Sequence, residues 1–400
     1  MKVLLVGSGG REHALAWKLA ASSEVELHAA PGNPGIAALG TCHPVRADDA
    51  EALLALARSL AVDLAVIGPE APLVAGVADE LRHSGVPVFG PGRGAARIEG
   101  SKAFAKDVMR AGGVPTAATL AVARPPCVVK ADGLAAGKGV FVCRTATEVD
   151  AALAAAASFA GPLVLEELLE GHEISLFALC DGRNVVALPP AQDFKRIGDG
   201  DNGPNTGGMG SYAPVPSLGP AATEELVELV HRPVVAELAR RGTPFVGLLF
   251  AGLMMTPDGP RVLEFNCRFG DPETQSVLPL LTGDLLGALA AAAAGDLGGA
   301  DLGAADAAAV TVVLAAGGYP AEADHGTPIV GVRDAEEAGA LVFHAGTALR
   351  DGTLVTSGGR ILNVTATGAT VAEARERVYA AAARISFEGM QCRTDIAAAA

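Results

Sequence analysis

The sequence is short of paired cysteines, of lysine and of long apolar runs, and each shortage narrows what the chain can do. Its six cysteines (Cys42, Cys127, Cys143, Cys180, Cys267 and Cys392) are scattered, and no two form a CxxC pair. Neither a zinc cluster nor a disulfide framework is indicated, and a reducing cytoplasm fits best. The longest apolar run, Leu285 to Ala294, is mostly alanine and too short to span a bilayer. The opening MKVLLVGSGG offers too short an apolar stretch for a signal peptide. There is no long basic run, and the net charge is −15. A general nucleic-acid binder is therefore excluded, while small anionic substrates remain open wherever cations gather locally. With 400 residues, half of them hydrophobic and 19% charged, the chain can bury a large core. About two to four domains are expected at this length.

Lysine is the informative scarcity. Seven lysines stand against 23 arginines, and five of the seven, Lys102, Lys106, Lys130, Lys138 and Lys195, fall in under a quarter of the chain. Where arginine is so freely used, a retained lysine marks a place that needs a compact point charge. Chance clustering is the alternative.

The first hundred residues alternate short apolar strands with helical patterns. KVLLV runs into GSGG and a helix near 11–21, and VELHA ends in PGNPG. A helix near 49–60 leads to DLAVI and GPEAP, then a helix near 73–84 leads to VPVFG. This βα alternation predicts a parallel, doubly wound sheet with ligands at the strand carboxyl ends. Those ends carry Gly9, Gly10, Arg11, Glu12, Asn33 and Glu70. SKAFAKDVMRAG (101–112) reads as a capped helix, and a strand-rich stretch follows from 127 to 180. A glycine loop (198–210), a helix near 221–241 and two strands around 245–255 and 260–266 come next. A helix and linker occupy 284–307, and a last set of βα units runs from Ala308 to a helix near 371–385.

Four motifs carry chemistry. GSGGREHA (7–14) follows a strand and opens a helix whose free N–H groups can hold an anion. A dinucleotide fingerprint would need glycine where Glu12 stands, so a single phosphate, such as that of a sugar monoester, fits better; a plain tight turn is the alternative. VVKADGLAAGKGVFV (128–142) sets three glycines and two lysines between β segments. It is not a Walker A loop, but a flexible hairpin with lysines can close over a polyphosphate; a hairpin with exposed lysines is the bland reading. LEELLEGHE (165–173) can read an adenine edge through its backbone and ribose hydroxyls through Glu173, and a solvated loop explains it equally well. In LEFNCRFGDPETQ (263–275), period-2 alternation puts Glu264, Asn266 and Arg268 on one face. They span about 13 Å of strand. Glu264 and Asn266 are hard oxygen donors suited to Mg²⁺, and Arg268 can hold a carboxylate or phosphoryl group. A buried Glu–Arg pair is the alternative there.

Together these segments resemble the ATP-grasp ligases and, among them, the glycinamide ribonucleotide synthetase family. The resemblance runs the length of the chain and is most specific in QDFKR through GGMG and in EFNCRFGDPET. It implies an α/β protein: a Rossmann-like N-terminal domain (1–101), an ATP-grasp core (102–303) with a mobile lid (about 119–186), and a small C-terminal α/β domain (304–400). The implied activity is ATP-dependent joining of glycine to 5-phosphoribosylamine via glycyl phosphate, in purine biosynthesis. ATP would be bound by Lys102, Lys130, Gly133, Gly137, Lys138, Gly139, Glu166, Glu167, Leu168, Leu169, Glu173, Arg196 and Asn205. Glu264 and Asn266 would ligate Mg²⁺ or Mn²⁺. Lys195, Arg268 and Asp271 would be catalytic, and Gly9, Gly10, Arg11, Asn33, Glu70, Asp193, Gly207 and Gly208 would bind the other substrates. A cytoplasmic monomer or weak dimer is implied, with small-molecule partners and neither nucleic acid nor membrane. One departure is visible: only about a dozen residues join Thr116 to Val129, so a helix usual in the family is missing there. A nicotinamide oxidoreductase built on GSGG leaves KADGLAAGKG and EFNCRFGDPET unexplained. Intact Lys130, Glu264, Asn266 and Arg268 argue against an inactive binding protein.

Overall fold

The computed structural model describes residues 1–134, 139–159 and 161–400. Five parallel strands, β1 (Lys2–Gly7), β2 (Glu26–Pro31), β3 (Thr41–Cys42), β4 (Leu64–Ile67) and β5 (Val88–Phe89), lie in the order 3-2-1-4-5. β1 is buried on both faces, as a parallel strand between helices must be. Leu4 and Val6 point into one apolar cluster, Val3 and Leu5 into the other. Helices fall where capping residues allow. Asp49 accepts the Ala52 N–H at 3.0 Å to open the helix Ala50–Leu60. The helix expected over 73–84 is two, Glu70–Ala75 and Val77–His83, broken at Gly76, whose φ of +93° only glycine adopts freely.

Ser101 caps the helix Lys102–Gly112, accepting the Phe104 N–H at 3.2 Å. No helix forms between Gly112 and Cys127; this linker instead bridges to Val262 through Thr116 and to Glu166 through Thr119. It feeds a small antiparallel sheet, β6 (Cys127–Ala131), β7 (Val140–Cys143) and β8 (Leu163–Glu167), in the order 7-6-8. The helix Ala146–Ala156 backs it through Val149 and Ala152, giving this lid a core of its own.

Strands β9 (His172–Asp181) and β10 (Val185–Ala187) leave the lid. They are followed by β11 (Gln192–Asp193), the hairpin β12 (Arg196–Gly198) and β13 (Asn202–Asn205), and β14 (Gly210–Ala213). β15 (Val246–Thr256) and β16 (Gly259–Asn266) complete a core sheet ordered 10-9-15-16, all antiparallel. The lid sheet thus ends at Glu167, and residues 172–186, expected within the lid, pair with the core sheet. The helix Pro220–Arg240 packs on one face through Val227, Val230, Val234 and Leu238. Those residues share an apolar cluster with Leu4, Val6 and Ile67 of the N-terminal sheet, so the two domains are joined by a common core.

The C-terminal segment corrects the expectation of further βα units. Strands β17 (Ala308–Ala315), β18 (Asp324–Pro328), β19 (Leu341–His344), β20 (Thr347–Arg350), β21 (Thr353–Gly358) and β22 (Arg360–Gly368) pair only antiparallel. The larger sheet runs 11-14-17-22-19, taking two strands from before residue 303. The alternating β-branched and apolar residues of β17 and β22 read as strands, but their order of pairing is not visible in that pattern. Among the described residues no helix is long and apolar enough to cross a membrane.

The N- and C-terminal domains meet at a buried histidine pair. His13 Nδ1 accepts the His344 N–H at 2.7 Å, and the ring stacks edge-on to Phe343 and His344. Burial, aided by His344, holds His13 down at about 3, and burial holds His344 at about 4. The unfolded chain therefore takes up these protons first as pH falls below about 6.5. Their stabilising contribution is complete above that pH and is lost progressively towards pH 3. Thermal unfolding between pH 7 and pH 4.5 is expected to show a smaller acid-induced drop in Tm for His13→Gln than for the wild type. An equal drop would remove His13 as a source of acid sensitivity.

Candidate active site

The lid wall is built on a shared carboxylate. Lys130 and Glu166 lie on the same face of β6 and β8, and Lys130 Nζ is 2.6 Å from Glu166 Oε2. Lys106, from the helix below, sits 2.8 Å from Glu166 Oε1 and bonds to Thr116 Oγ1 and the Ala117 carbonyl. All three side chains are more than nine-tenths buried. One carboxylate for two buried ammonium groups leaves a net positive charge, which favours an anionic ligand close by. Lys130 also donates to the Leu263 carbonyl at 2.8 Å, tying the lid to β16. Lys102 Nζ reaches the Gly133 carbonyl at 2.9 Å, and its backbone N–H donates to Asp132 Oδ1. Gly133, at φ +101°, has open space where a side chain would stand. Gly139 closes the loop by accepting the Ala131 N–H at 2.8 Å. Gly137 and Lys138 lie outside the described residues. Glu167 is occupied with the linker, accepting the Ala118 N–H at 2.7 Å, and half-buried Leu168 and Leu169 follow it at the lid–core junction.

Across the cleft, Lys195 stands between two strands of the core sheet. Its ammonium pairs with Glu173 of β9 and lies 3.7 Å from Glu264 of β16. Burial alone would lower Lys195, but Glu173, Asp193 and Glu264 raise it well above the usual lysine range. Burial likewise works to raise Glu264, yet Lys195, Lys130, Lys102 and Arg268 hold it below its ordinary value. Asp193 is raised well above the carboxylate range, by burial and by Glu273, Glu173 and Glu264, with Lys195 opposing. Gly252, between the two acidic strands, leaves room: a Cβ there would come within 3.5 Å of Glu264 and 3.7 Å of Glu173. Arg196 and Asn205 face each other across the β12–β13 hairpin, with Arg196 donating to the Gly203 carbonyl at 2.8 Å.

Glu264 and Asn266 present an ionised carboxylate and an amide oxygen on one strand, with the Glu264 side chain 39% exposed to the cleft. Among the described residues no group of three or more His, Cys, Asp or Glu side chains is arranged to hold a metal. The pair therefore fits a hard cation that fills most positions with water and phosphate oxygens, as Mg²⁺ does.

Arg268 closes the cleft's base. Its guanidinium reaches Glu70 Oε2 at 3.3 Å, Glu99 Oε1 at 3.2 Å, Asn266 Oδ1 at 3.1 Å and the Phe269 carbonyl at 3.2 Å. Arg268 lies two residues past the end of β16 and reaches back to Asn266, and with Glu70 and Glu99 it forms a buried Glu–Arg pair at the strand end. Asp271 accepts from Gln275 Nε2 at 2.8 Å and the Arg11 N–H at 3.3 Å, and pairs with Arg360 at 3.4 Å. Burial would raise Asp271, but Arg360 and Arg11 keep it low. Arg360 further clamps Gly207 and Gly208 by their carbonyls, and Gly207 N–H donates to Tyr319 Oη at 2.8 Å.

The N-terminal loop differs from its expected use. Glu12 folds back into the crevice between the ends of β1 and β4, accepting the Gly9 N–H at 2.5 Å and pairing with Arg11 at 2.7 Å. A Cβ on Gly68 would stand 2.1 Å from its carboxylate, and one on Gly7 2.6 Å from its Cγ. The space a phosphate would take on this loop is filled by that acid, which burial raises despite Arg11. Gly10 faces the protein interior: a Cβ would meet Asn363 Nδ2 at 2.3 Å and Gln275 Nε2 at 2.6 Å. Asn33 spends its amide on the Ile36 N–H and the Ser8 and His344 carbonyls. Arg11 is tied to Phe269 and Glu12, while Glu70, 28% exposed, still opens to the cleft beside Arg268. Gly10, Asn33 and Arg11 thus serve domain packing in this structure.

Sequence reasoning named no role for Lys106, Glu99 or Arg360. Lys106 carried a signal as one of the clustered lysines. Glu99 and Arg360 carried none, because their partners lie 169 and 89 residues away in sequence, at Arg268 and Asp271.

Known proteins place these features in context. Residues 1–99, 100–274 and 309–399 match, in turn, the N, ATP-grasp (A) and C domains described as phosphoribosylglycinamide synthetase. Phosphoribosylamine–glycine ligase of Streptomyces coelicolor is 54% identical, over all of this chain and 99% of its own. That of Agrobacterium fabrum is 50% identical over 99% of this chain and 98% of its own. The crystal structure of phosphoribosylamine–glycine ligase from Thermotoga maritima superposes with a TM-score of 0.86 at 35% identity, covering 99% of this chain and all of that one. The biotin carboxylase domain of Hydrogenobacter thermophilus 2-oxoglutarate carboxylase shares the fold alone, with a TM-score of 0.71 at 18% identity over 98% of this chain and 91% of its own.

The packing at Gly10 gives a direct test. Gly10→Val forces a branched side chain against buried Asn363 and Gln275, and overpacking of this kind costs about 1–3 kcal/mol. Denaturant unfolding is expected to show that loss. Full stability together with a selective defect in substrate affinity would return Gly10 to the ligand-binding loop.

Proposed function

The chain belongs to the phosphoribosylglycinamide synthetase family and is an ATP-dependent ligase of purine biosynthesis, and from that premise we propose how its cleft joins glycine to 5-phosphoribosylamine. ATP, glycine and 5-phosphoribosylamine become ADP, phosphate and glycinamide ribonucleotide. The observation that carries the reading is Glu264 on the core sheet, with the Lys195 ammonium 3.7 Å from its carboxylate and with Lys195, Lys130, Lys102 and Arg268 together holding it below the ordinary carboxylate range. Such a site gathers cations around an anchoring acid, which is what transfer of a phosphoryl group needs.

In this reading the glycine carboxylate attacks the γ-phosphorus and the bond to ADP breaks, its electron pair leaving with ADP. Lys102 and Lys130 hold the phosphates, with Gly133 and Gly139 beside them. Glu166, Glu167, Leu168 and Leu169 border the adenine, and Glu173, Arg196 and Asn205 approach the rest of the nucleoside. Lys195 stabilises the charge that develops on the moving phosphoryl group. A divalent cation, Mg²⁺ or Mn²⁺, neutralises phosphate charge when bound, and Glu264 and Asn266 would hold it. The sugar amine then attacks the carbonyl carbon of glycyl phosphate, the bond to phosphate breaks, and the proton lost by the nitrogen goes to the departing phosphate. Asp193, beside Lys195, is assigned to substrate binding, where its raised carboxyl can donate a hydrogen bond. Arg268 and Asp271 fix the cleft floor, with Glu70, Gly9, Gly207 and Gly208 bordering the sugar side. Excluding water carries much of the rate, because an acyl phosphate hydrolyses in the open. A cytoplasmic enzyme acting as a monomer or weak dimer on small molecules completes the proposal, and the net charge of −15 supports the absence of nucleic acid.

ADP release is expected to require glycine and the sugar amine together; release that ignores both would overturn the reading. Glu264→Gln keeps the side chain's shape and removes its charge. Turnover is expected to fall about 100-fold or more, with partial recovery in excess Mn²⁺. Wild-type activity at low Mg²⁺ would rule Glu264 out as the metal's carboxylate.

A further inference from the structure

Arg393, seven residues before Ala400, is 2% exposed, which is rare for a guanidinium and demands partners. It has them on both sides. Nε and Nη2 fork onto Asp395, each at 2.7 Å. Nη1 reaches Asp201 Oδ1 at 2.7 Å and the Arg196 carbonyl at 3.2 Å. The guanidinium also lies 5.0 Å from the centroid of the Phe194 ring. Its grip therefore falls on the residues immediately before and after Lys195.

The surroundings extend that grip. Thr394 N–H donates to Asp199 Oδ1 at 2.8 Å, and Gly200 N–H to Asp395 Oδ2 at 2.8 Å. The tail is itself anchored to the helix Val371–Ala382, since Tyr379 Oη donates to the Arg393 carbonyl at 2.9 Å and Arg375 Nε to the Ile396 carbonyl at 2.9 Å. Against this, residues 199–204 at the hairpin tip are exposed and bury no apolar side chain. Lys195 hangs from that hairpin at its inner end, where the Thr206 N–H donates to its carbonyl at 2.8 Å.

We infer that Arg393 is a positioning residue: the C-terminal tail acts as a strut that holds the backbone on either side of Lys195, so that its ammonium stays between Glu173 and Glu264. The inference rests on the catalytic role given to Lys195 above. A fork that bonds both tail and hairpin fixes the segment in a way a lysine cannot reproduce. Misplacing a charged group by about 1 Å in such a cleft costs about 100-fold in rate.

A double-mutant cycle tests it on the full-length enzyme, using Arg393→Met, Lys195→Ala and the pair. Arg393→Met is expected to lower kcat by about 100-fold, a larger change than any in the KM for ATP, whose phosphates Lys102 and Lys130 hold. In the Lys195→Ala background the same change is expected to cost nothing further, because the group it positions is gone. Independent, multiplying losses would overturn the inference, as would an unchanged kcat in Arg393→Met. Undiminished activity in Lys195→Ala alone strikes the catalytic assignment instead, so the two failures are told apart. If Arg393→Met does not fold, Asp201→Asn removes one end of the fork from an exposed position. It is expected to lower kcat in the same direction, to lose its effect beside Lys195→Ala, and to speed protease cleavage within 199–204. Wild-type kcat and unchanged cleavage in that variant would overturn the inference.

Discussion

The cleft depends on where one buried guanidinium places its hydrogen bonds. Arg268 joins Glu70 from the N-terminal domain, Glu99 from the helix that leads out of it, and Asn266 from the last core strand. A buried cation is costly unless its partners meet it with good geometry. Burial works to lower Arg268, and Glu99 and Glu70 more than reverse that. The consequence is mechanical. The end of β16 cannot shift against the N-terminal sheet without breaking a charged contact, so Asn266 and Glu264 are held in place relative to that sheet. Glu99 adds a second tie by accepting the Cys267 N–H at 2.8 Å.

The lid is attached by different means. Its apolar core is small and its own, built around Cys127, Val129, Cys143 and Val149. What links it to the rest is polar: Glu166 shared between Lys106 of the core helix and Lys130 of the lid, and Lys130 bonded back to Leu263. A unit that packs on itself and is joined by a few charged contacts can move as a body. Lys130, proposed above to hold the phosphates, is part of that joint, so in the proposed reading nucleotide binding and the position of this unit act on the same residue.

Much of this was legible in the sequence, and the limits have physical causes. βα alternation with glycines at strand ends reads as a parallel sheet because fully buried strands and capped helices leave clear periodicities. Period-2 alternation reads Glu264 and Asn266 onto one strand, while Arg268 lies beyond the strand's end and meets Asn266 through a bend. The lysine cluster pointed at a region, and in it Lys106 and Lys130 share Glu166 while Lys195 pairs with Glu173. The C-terminal strands were misread as βα units because an apolar strand pattern says nothing about which neighbour it pairs with. The packing of the N-terminal loop was not legible for a similar reason. That Glu12 would fold back and fill the crevice between Gly7, Gly9 and Gly68 depends on three-dimensional approach, and so does the contact between Gly10 and Asn363. Arg393 gave no local signal, because its partners at Phe194, Arg196 and Asp201 are some two hundred residues away.

The central claim is that this cleft activates the glycine carboxylate by phosphorylation before the sugar amine attacks it. Glycine labelled with heavy oxygen at both carboxylate positions tests it. One labelled atom is expected in the inorganic phosphate and the other in the amide carbonyl of the product. Phosphate free of label, with both heavy oxygens accounted for elsewhere, would contradict the account.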